Sequence, residues 1–454
     1  MRARQEVLRI LETALSLASE GVDEAEVALA GGDLGVTRFV DNQIQPAAQR
    51  SVETLSVRLR AKGQVVRVST TDLATAGIKQ TVMQARSIVG RLPEAQVPAP
   101  AFPSPQNYVE IEAYDPEIEM MRSLERAAIV GRAVVEAHKA HLSASGVMMA
   151  RRGSVGFDGT LVPYALANTR GLLAYHPETR AAFRVRMRSK RGVTGFAEAE
   201  SCSAEALNIE RLVSMARDRA TVGGSPRALS PGDYEAVLEP AAVAALLRFL
   251  GLTCGASSYH AGSSFLSGRL GQTIVDARIT LLDDFAHPLH RGCPFDVEGV
   301  AKQPVTIIEA GVARSPVRSW LSASSFESPT GHQLRDGQFG DYEGAQHLVL
   351  RGGDDTLADL IANVKDGVLI TRLSEVQLVD APTLRVFGMT RGVLEVQGGE
   401  VVGPAKDLAF EVDVLDLLNR VDGLTNEVWA DGAVVPAMRV SGFRLAASDR
   451  TTPQ

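Results

Sequence analysis

The chain has 454 residues, of which 45% are hydrophobic and 22% charged, with a formal net charge of -7. This length fits two or three globular domains with adequate cores, and the negative charge argues against a nucleic-acid-binding protein because a phosphate backbone would be repelled. The start lacks an apolar signal core and no run approaches the ~18 apolar residues of a membrane span. The odd count of three cysteines favours reduced thiols, so we expect a cytoplasmic protein.

The first elements predict a mixture of helices and strands. Apolar residues in segment 7–18 recur at steps of three and four, which predicts a helix. Segment 55–68 alternates apolar and polar residues on either side of Lys62-Gly63, which predicts a β-hairpin. Segment 71–92 again predicts a helix, so this part of the chain indicates an α+β unit.

A connector and a long helix are predicted next. Five prolines within residues 93–105 exclude helix and central strand, so this segment is predicted to be an extended connector. A helix is predicted from Pro116 toward His138, with Ser145-Gly146 ending it near Val147. Strands are predicted from there to about residue 193.

One predicted strand alternates apolar and basic residues. The apolar members are Phe183, Val185 and Met187, and the basic members are Arg184, Arg186 and Arg188. The arginines fit the solvated face of an antiparallel strand, where basic side chains also discourage pairing at an edge. They also fit a cationic strip for a carboxylate, a phosphate or an acidic partner. We favour the solvated face, because period-two alternation is what a half-buried strand predicts.

The second half is predicted to be a separate, strand-rich domain. A boundary near residues 223–226, with sequence Gly-Gly-Ser-Pro, divides an N-terminal mixed α/β domain (1–222) from a mainly antiparallel C-terminal domain (223–454). Within the latter, segment 356–366 predicts a helix whose capping box is formed by Thr356 and Asp359. The predicted fold class is α+β.

Several short motifs follow one another in the second half. They read Asp-Tyr-Glu-Ala-Val-Leu-Glu-Pro at 233–240, Ser-Gly-Arg-Leu-Gly at 267–271, Asp-Asp at 283–284, Pro-Phe-Asp-Val-Glu-Gly-Val at 294–300 and Thr-Gly-His at 330–332. This order resembles the TldD/PmbA family, in which one type of subunit carries a zinc peptidase site and a related type does not.

The zinc motif of that family is missing here. In the zinc-bearing type, a helix of this region carries His-Glu-x-x-x-His, whose imidazoles bind the metal while the glutamate acts as a base. No histidine of this chain is followed by glutamate, and an ungapped slide from residues 266–268 places the motif positions at Leu247, Arg248 and Leu252, with Gly251 at a family glycine. The resemblance therefore implies a PmbA-like subunit with no catalytic, cofactor or metal residues of its own. It implies a zinc-bearing TldD-like partner and a peptide substrate.

Other interpretations stay open. His287, His290 and Cys293 recur at three-residue intervals and could hold zinc in an independent metal-dependent hydrolase. Asp296 and Glu298 could form a general acid and base pair, although a turn-capping Asp296 and an arginine-paired Glu298 are favoured. The chain could also be a homodimeric peptide-binding or scaffolding protein without a peptidase partner.

Overall fold

The computed structural model describes residues 2–156, 162–325, 328–336 and 340–447. Within these ranges no helix is both long and apolar enough to cross a membrane. The elements up to residue 220 are α1 (Arg4–Ala18), β1 (Glu24–Val40), β2 (Gln43–Ile44), β3 (Ala48–Ala61), β4 (Gln64–Thr70), α2 (Thr75–Arg91), α3 (Pro116–Met120), α4 (Ser123–Lys139), β5 (Ser143–Gly153), β6 (Pro163–Asn168), β7 (Leu173–Tyr175), β8 (Thr179–Arg188), β9 (Thr194–Ser201) and α5 (Ile209–Ala220).

These strands form one nine-stranded sheet. Its main order is β4-β3-β1-β5-β8-β9, while β2 and β6 also pair with β1 and β7 pairs with β6. Helices α1 and α2 bury their apolar residues against β1 and β3, and α4 and α5 bury theirs against β5 and β8. Because strand side chains alternate between faces, Phe183, Val185 and Met187 pack under the helices while Arg180 and Arg184 point to the opposite face.

The helices and strands from residue 232 onward include the strands of two further large sheets and of one two-stranded sheet. They are β10 (Gly232–Leu238), α6 (Pro240–Thr253), α7 (Ala256–His260), β11 (Leu281–Asp283), β12 (Val305–Glu309), β13 (Val312–Ala313), β14 (Gln333–Asp336), β15 (Gly340–Glu343), β16 (Leu348–Leu350), α8 (Leu357–Ala362), β17 (Asp366–Asp380), β18 (Arg385–Gln397), β19 (Glu400–Pro404), β20 (Ala409–Asp413), α9 (Val414–Leu418), β21 (Val421–Leu424), β22 (Val428–Ala430), β23 (Ala433–Val435) and β24 (Met438–Ala446).

A ring of strands and a buried helix form the core of this half. Strands β10, β17, β18, β20 and β24 pair in that order, and a β10–β24 pairing closes the ring. The other large sheet has the order β13-β12-β11-β16-β23-β22. Helix α6 packs against both sheets, and ten of its 14 residues are buried. A helix that is apolar on nearly every side is expected in such a central position.

The predicted α+β class is confirmed, and several local predictions hold. Lys62 and Gly63 both adopt positive φ angles in the turn between β3 and β4, as a tight hairpin requires. The Thr356 hydroxyl accepts a hydrogen bond from the Asp359 amide, and the Asp359 carboxylate accepts one from the Thr356 amide, so the capping box is present. The predicted end of this helix at residue 366 is wrong, because α8 stops at Ala362 and Asp366 begins β17. Residues 93–105 contain neither helix nor strand. The division at residue 222 stays a prediction; segment 221–231 links the two halves.

The predicted end of the helix after Pro116 is wrong. The chain breaks into α3 and α4, and α4 stops at Lys139, where His141 adopts a left-handed conformation with φ 57°. Gly146 lies inside β5, where an added Cβ would stand 2.1 Å from the Arg184 carbonyl oxygen. This glycine therefore permits a close approach of two strands and does not stop a helix.

Strand β8 bears out the favoured solvated face at Arg186 and Arg188, which are exposed, but not at Arg184. It lies between β5 and β9 and is not an edge strand. Arg184 is half-buried and pairs with Glu198 at 2.9 Å and with Asp431 of the second half at 3.8 Å. The face expected to be solvated is turned, at Arg180 and Arg184, toward the C-terminal half.

Candidate functional site

A cleft of about 710 Å³, hereafter the central cleft, lies between the two halves. Its N-terminal wall is the face of β5 and β8 that carries Met149, Arg151 and Arg180. Its C-terminal wall consists of residues from segments 290–302, 333–334, 346–347 and 429–432, so the site depends on both halves of the chain. This volume is within the range of ligand-binding pockets.

A buried ionic layer lines the N-terminal wall. The Glu178 carboxylate accepts hydrogen bonds from Arg151 Nη2 at 2.8 Å and from Arg180 Nε. Burial favours the protonated form of Glu178, but the two guanidinium groups outweigh it and lower the pKa of this carboxyl to about 2. Glu178 is therefore ionised at neutral pH and holds both arginines in place.

Arg180 joins this layer to the second half. Its Nη2 donates to the carbonyl oxygens of His290 at 2.6 Å and Arg291 at 3.0 Å. Arg291 has a positive φ of 44°, so the loop turns sharply where these carbonyls face the guanidinium group. Charge-assisted hydrogen bonds to two consecutive carbonyls fix this loop on the N-terminal sheet.

A second polar cluster lies under the C-terminal wall. Asp283 is fully buried; its Oδ1 lies 3.1 Å from His332 Nε2, and its Oδ2 accepts from the His347 amide at 2.8 Å. Lys302 Nζ lies 3.4 Å from His347 Nδ1. Burial would raise the pKa of Asp283, but His332, His347 and Lys302 hold it far below its usual value. The carboxylate is therefore ionised at neutral pH, with the imidazole rings of His332 and His347 and the Lys302 side chain close to it.

Two histidines of the cleft are neutral at neutral pH. His290 is buried and its Nε2 donates to the Leu348 carbonyl oxygen at 3.0 Å; burial lowers its pKa to about 4. Burial and the nearby Lys302 also lower the pKa of His347 well below its usual value. The His347 ring lies against Gly292, where an added Cβ would stand 2.2 Å from Nε2. Gly292 thus leaves room for the ring.

His176 is the one buried side chain of the cleft whose ring nitrogen Nε2 has no hydrogen-bond partner in the described part of the chain. It is 4% exposed, and burial lowers its pKa despite the neighbouring Glu178. A buried polar atom without a partner is costly, so this nitrogen is available to a ligand or a water molecule in the cleft.

The three residues of the alternative metal site, His287, His290 and Cys293, each have different surroundings. His287 Nδ1 accepts a hydrogen bond from the Leu289 amide, while His290 Nε2 is occupied by Leu348. Burial raises the pKa of the Cys293 thiol to about 12, so it is protonated at neutral pH. Across the ranges that the structure describes, no three His, Cys, Asp or Glu side chains are grouped to hold a metal ion.

Asp296 and Glu298 lie in a turn and not in a strand. Asp296 Oδ1 accepts from the amides of Glu298 and Val300, and Oδ2 accepts from the Gln333 amide. Glu298 lies 3.6 Å from Arg58 and is not part of the cleft wall. The favoured interpretation, a turn-capping Asp296 and an arginine-paired Glu298, is confirmed. Burial, reinforced by Asp296, raises the pKa of Glu298 to about 7.

Comparison with known proteins identifies the family of the second half. Residues 231–447 match the family model described as PmbA/TldA metallopeptidase C-terminal domain. The C-terminal half of this chain belongs to the PmbA/TldD family. The resemblance inferred from the sequence motifs is thus confirmed.

Relatives with reviewed descriptions are metalloproteases of archaea. The chain is 25% identical over 199 residues to a metalloprotease of Methanothermobacter thermautotrophicus, covering 43% of each chain. It is 22% identical over 223 residues to one of Methanocaldococcus jannaschii, covering 48% of this chain and 49% of the relative. The chain thus spans less than half the length of these relatives.

Solved structures share the fold over nearly the whole chain. TldE from Thermococcus kodakarensis superposes with a TM-score of 0.85 at 18% identity, covering 96% of this chain and all of that one. A putative modulator of a DNA gyrase from Thermotoga maritima gives 0.80 at 17% identity, covering 97% of this chain and all of the other. The fold of these two structures therefore extends over the N-terminal half of this chain as well.

The residues at the aligned zinc-motif positions do not fit a zinc ion. Leu247 is fully buried in the main core, whereas Arg248 and Leu252 are exposed on another side of α6, and none of the three lines the central cleft. The two leucines have no donor atom for a metal, and the guanidinium group of Arg248 stays protonated and has no free lone pair. Gly251 has a packing role, since an added Cβ would stand 2.6 Å from the Ala345 carbonyl oxygen.

Sequence reasoning missed most of the cleft residues. Asp283 belongs to the Asp-Asp motif and His332 to the Thr-Gly-His motif, but nothing in the sequence indicates that the two side chains meet. Glu178, Arg180 and Lys302 stood in no motif at all. Arg180 lies on the same period-two face of β8 as Arg184, so the alternation of that strand was the one available signal.

Proposed function

We propose that this chain is the noncatalytic, metal-free subunit of a TldD-like metallopeptidase complex that degrades or processes peptides. The observation that carries the proposal is the chemistry of α6: the aligned motif positions hold Leu247, Arg248 and Leu252 in place of zinc ligands. The metalloprotease descriptions of the relatives supply the reaction class. The zinc ion would belong to a related partner subunit, and the three unpaired thiols favour a cytoplasmic setting.

The central cleft supports a role in holding peptide. Strand β9 is an edge strand of the N-terminal sheet, and β22 is an edge strand of a C-terminal sheet. The two strands meet at the rim of the cleft, where the Asp431 amide donates to Glu198 at 3.1 Å. Extended peptides bind by adding a strand to such an edge, with side chains entering adjacent pockets. Trp429 on β22 lines the cleft and offers a flat apolar surface to a peptide side chain.

Coexpression with a zinc-bearing relative tests the proposal. We expect a stable complex whose cleavage of short, unfolded peptides exceeds that of the zinc-bearing subunit alone and is abolished by a chelator. If the relative assembles and cleaves peptides equally well without this chain, the subunit role is contradicted. A homodimer that binds peptide without cleaving it, and ignores the relative, would instead indicate a scaffolding protein.

The two tryptophans of the chain provide a matched pair of variants. We expect Trp429→Ala to raise the KM of the complex for peptides without affecting assembly, because Trp429 lines the cleft. Trp320 is also partly buried but bonds to the Ala101 carbonyl oxygen outside the cleft, so Trp320→Ala is the control. Equal effects of the two changes on KM would argue against peptide binding at this wall.

A further inference from the structure

A second pocket between the two halves, hereafter the arginine pocket, has no part in the proposed peptide site. It has a volume of about 330 Å³ and lies where β8 and β9 of the N-terminal sheet face β17 and β18. Three guanidinium groups line it, those of Arg186, Arg372 and Arg391, together with hydroxyl groups that include that of Ser374. Two carboxylates, those of Glu375 and Asp407, also line the pocket, so its charged groups are three guanidinium groups against two carboxylates.

One of the three arginines is neutralised within the chain. Arg391 pairs with Glu375 at 2.8 Å and with Asp407 at 3.7 Å. Its Nε also donates to the Ser374 hydroxyl oxygen at 2.8 Å, which leaves the hydroxyl proton of Ser374 free to donate into the pocket. Glu375 and Asp407 are thus committed to Arg391.

The other two arginines are not in direct contact with an acidic side chain in the described part of the chain, although the charges of Glu198 and Asp407 act on Arg372 from further away. Neither Arg186 nor Arg372 has an ion pair or a side-chain hydrogen bond with any residue that the structure describes. The Arg372 guanidinium lies over the Phe196 ring, 4.5 Å from its centroid. This stacking fixes the plane of the group and leaves its N–H edges available to a ligand.

The arrangement disfavours the empty state of the pocket. Arg372 and Arg391 are direct neighbours across the β17–β18 pair, where like charges destabilise a sheet. Burial and the nearby Arg186 lower the pKa of Arg372. An anion in the pocket would relieve this repulsion, and two unpaired guanidinium groups already face it.

We propose that the arginine pocket binds a small oxyanion, a carboxylate or a phosphate, between Arg186 and Arg372. Both groups present the paired oxygens that a guanidinium fork recognises, and the Ser374 hydroxyl adds a third donor. The volume exceeds that of one such group, since a water molecule takes up about 30 Å³, so a small organic body fits beside it. Because Arg186 belongs to β8 and Arg372 to β17, the bound anion bridges the two halves of the chain.

Titration of the purified chain with inorganic phosphate and with glutarate tests this site, with sodium chloride at equal ionic strength as the reference. We expect at least one probe, at about 10 mM, to raise the thermal midpoint above that in chloride, because a ligand of the folded state stabilises it. A response to phosphate alone identifies a phosphate site, and a response to glutarate alone identifies a carboxylate site. The same midpoint in all three salts overturns the proposal.

Variants of the pocket arginines test whether the probe binds in the arginine pocket. Arg186→Gln and Arg372→Gln should each weaken the calorimetric affinity for the active probe at least about tenfold, since each removes one charged fork. Arg188→Gln, two residues along the same face of β8 and outside this pocket, should leave the affinity unchanged. Arg186→Lys and Arg372→Lys keep the positive charge and serve as controls in case the glutamine variants misfold. Each should also weaken binding, because lysine lacks the guanidinium fork. Affinity that survives Arg186→Gln combined with Arg372→Gln would place the anion elsewhere and overturn the proposal.

Discussion

At the residue scale, Glu178 holds two buried guanidinium groups with a single carboxylate. We expect Glu178→Gln to destabilise the protein by about 3 kcal/mol, because Arg180 would stay buried with Glu200, 3.5 Å away, as its remaining acidic partner. Denaturation in guanidinium chloride, read by circular dichroism, measures the change.

An exposed ion pair provides the control for this change. Arg132 and Glu210 pair on the surface, where both side chains are more than half exposed. Glu210→Gln should therefore alter stability by less than about 1 kcal/mol. A loss of stability in Glu178→Gln no larger than that in Glu210→Gln would show that the buried layer does not hold the two halves together.

The neutral state of His290 predicts that the stability of the fold depends on pH. Its pKa is about 4 in the folded chain and about 6.5 in an unfolded one, so between these values the unfolded chain binds a proton that the folded chain excludes. Stability must then fall as the pH is lowered through this window. From pH 7 to pH 5, the wild type should lose on the order of 2 kcal/mol more than His290→Gln, whose amide can still donate to Leu348. Parallel stability curves for the two proteins would contradict a neutral, buried His290.

At the element scale, Gly146 and Gly131 predict opposite effects of the same substitution. An alanine Cβ at residue 146 would stand 2.1 Å from the Arg184 carbonyl oxygen, so Gly146→Ala should force β5 and β8 apart and cost about 2 kcal/mol or more. Gly131 lies within α4 with no neighbour within 4 Å of an added Cβ, so Gly131→Ala should stabilise by up to about 1 kcal/mol. Thermal melts compare the two, and a neutral Gly146→Ala would contradict the close approach of the strands.

The same glycine shows which element boundaries a sequence can indicate. The hairpin at Lys62-Gly63 and the capping box of Thr356 were predictable because their signals are local. The end of α4 was not, because Gly146 is required by contact with Arg184, a residue 38 positions later in the chain. In the sequence, a Ser-Gly pair looks the same whether it ends a helix or lies in a closely packed strand.

At the scale of the whole molecule, the central cleft is assembled from distant parts of the chain. Residue periodicity predicted the α+β class and the buried faces of single strands, and the order of motifs led to the family. Periodicity could not bring Glu178 and Arg180 to the loop at His290, or Asp283 to His332, since such pairs depend on tertiary packing. The arginines of β8 were interpreted as a solvated face, with a cationic strip as the alternative, but the structure places Arg184 in one pocket and Arg186 in another.

The zinc content of the purified chain tests the central claim most directly. Expressed alone in zinc-supplemented medium, dialysed and analysed by plasma mass spectrometry, the chain should contain far less than one zinc per molecule and cleave no peptide, because Leu247, Arg248 and Leu252 supply no ligand set. The coexpressed complex should contain about one zinc per zinc-bearing partner and lose its peptidase activity on chelation. One tightly bound zinc per molecule of this chain alone, with peptide cleavage that a chelator abolishes, would contradict the account.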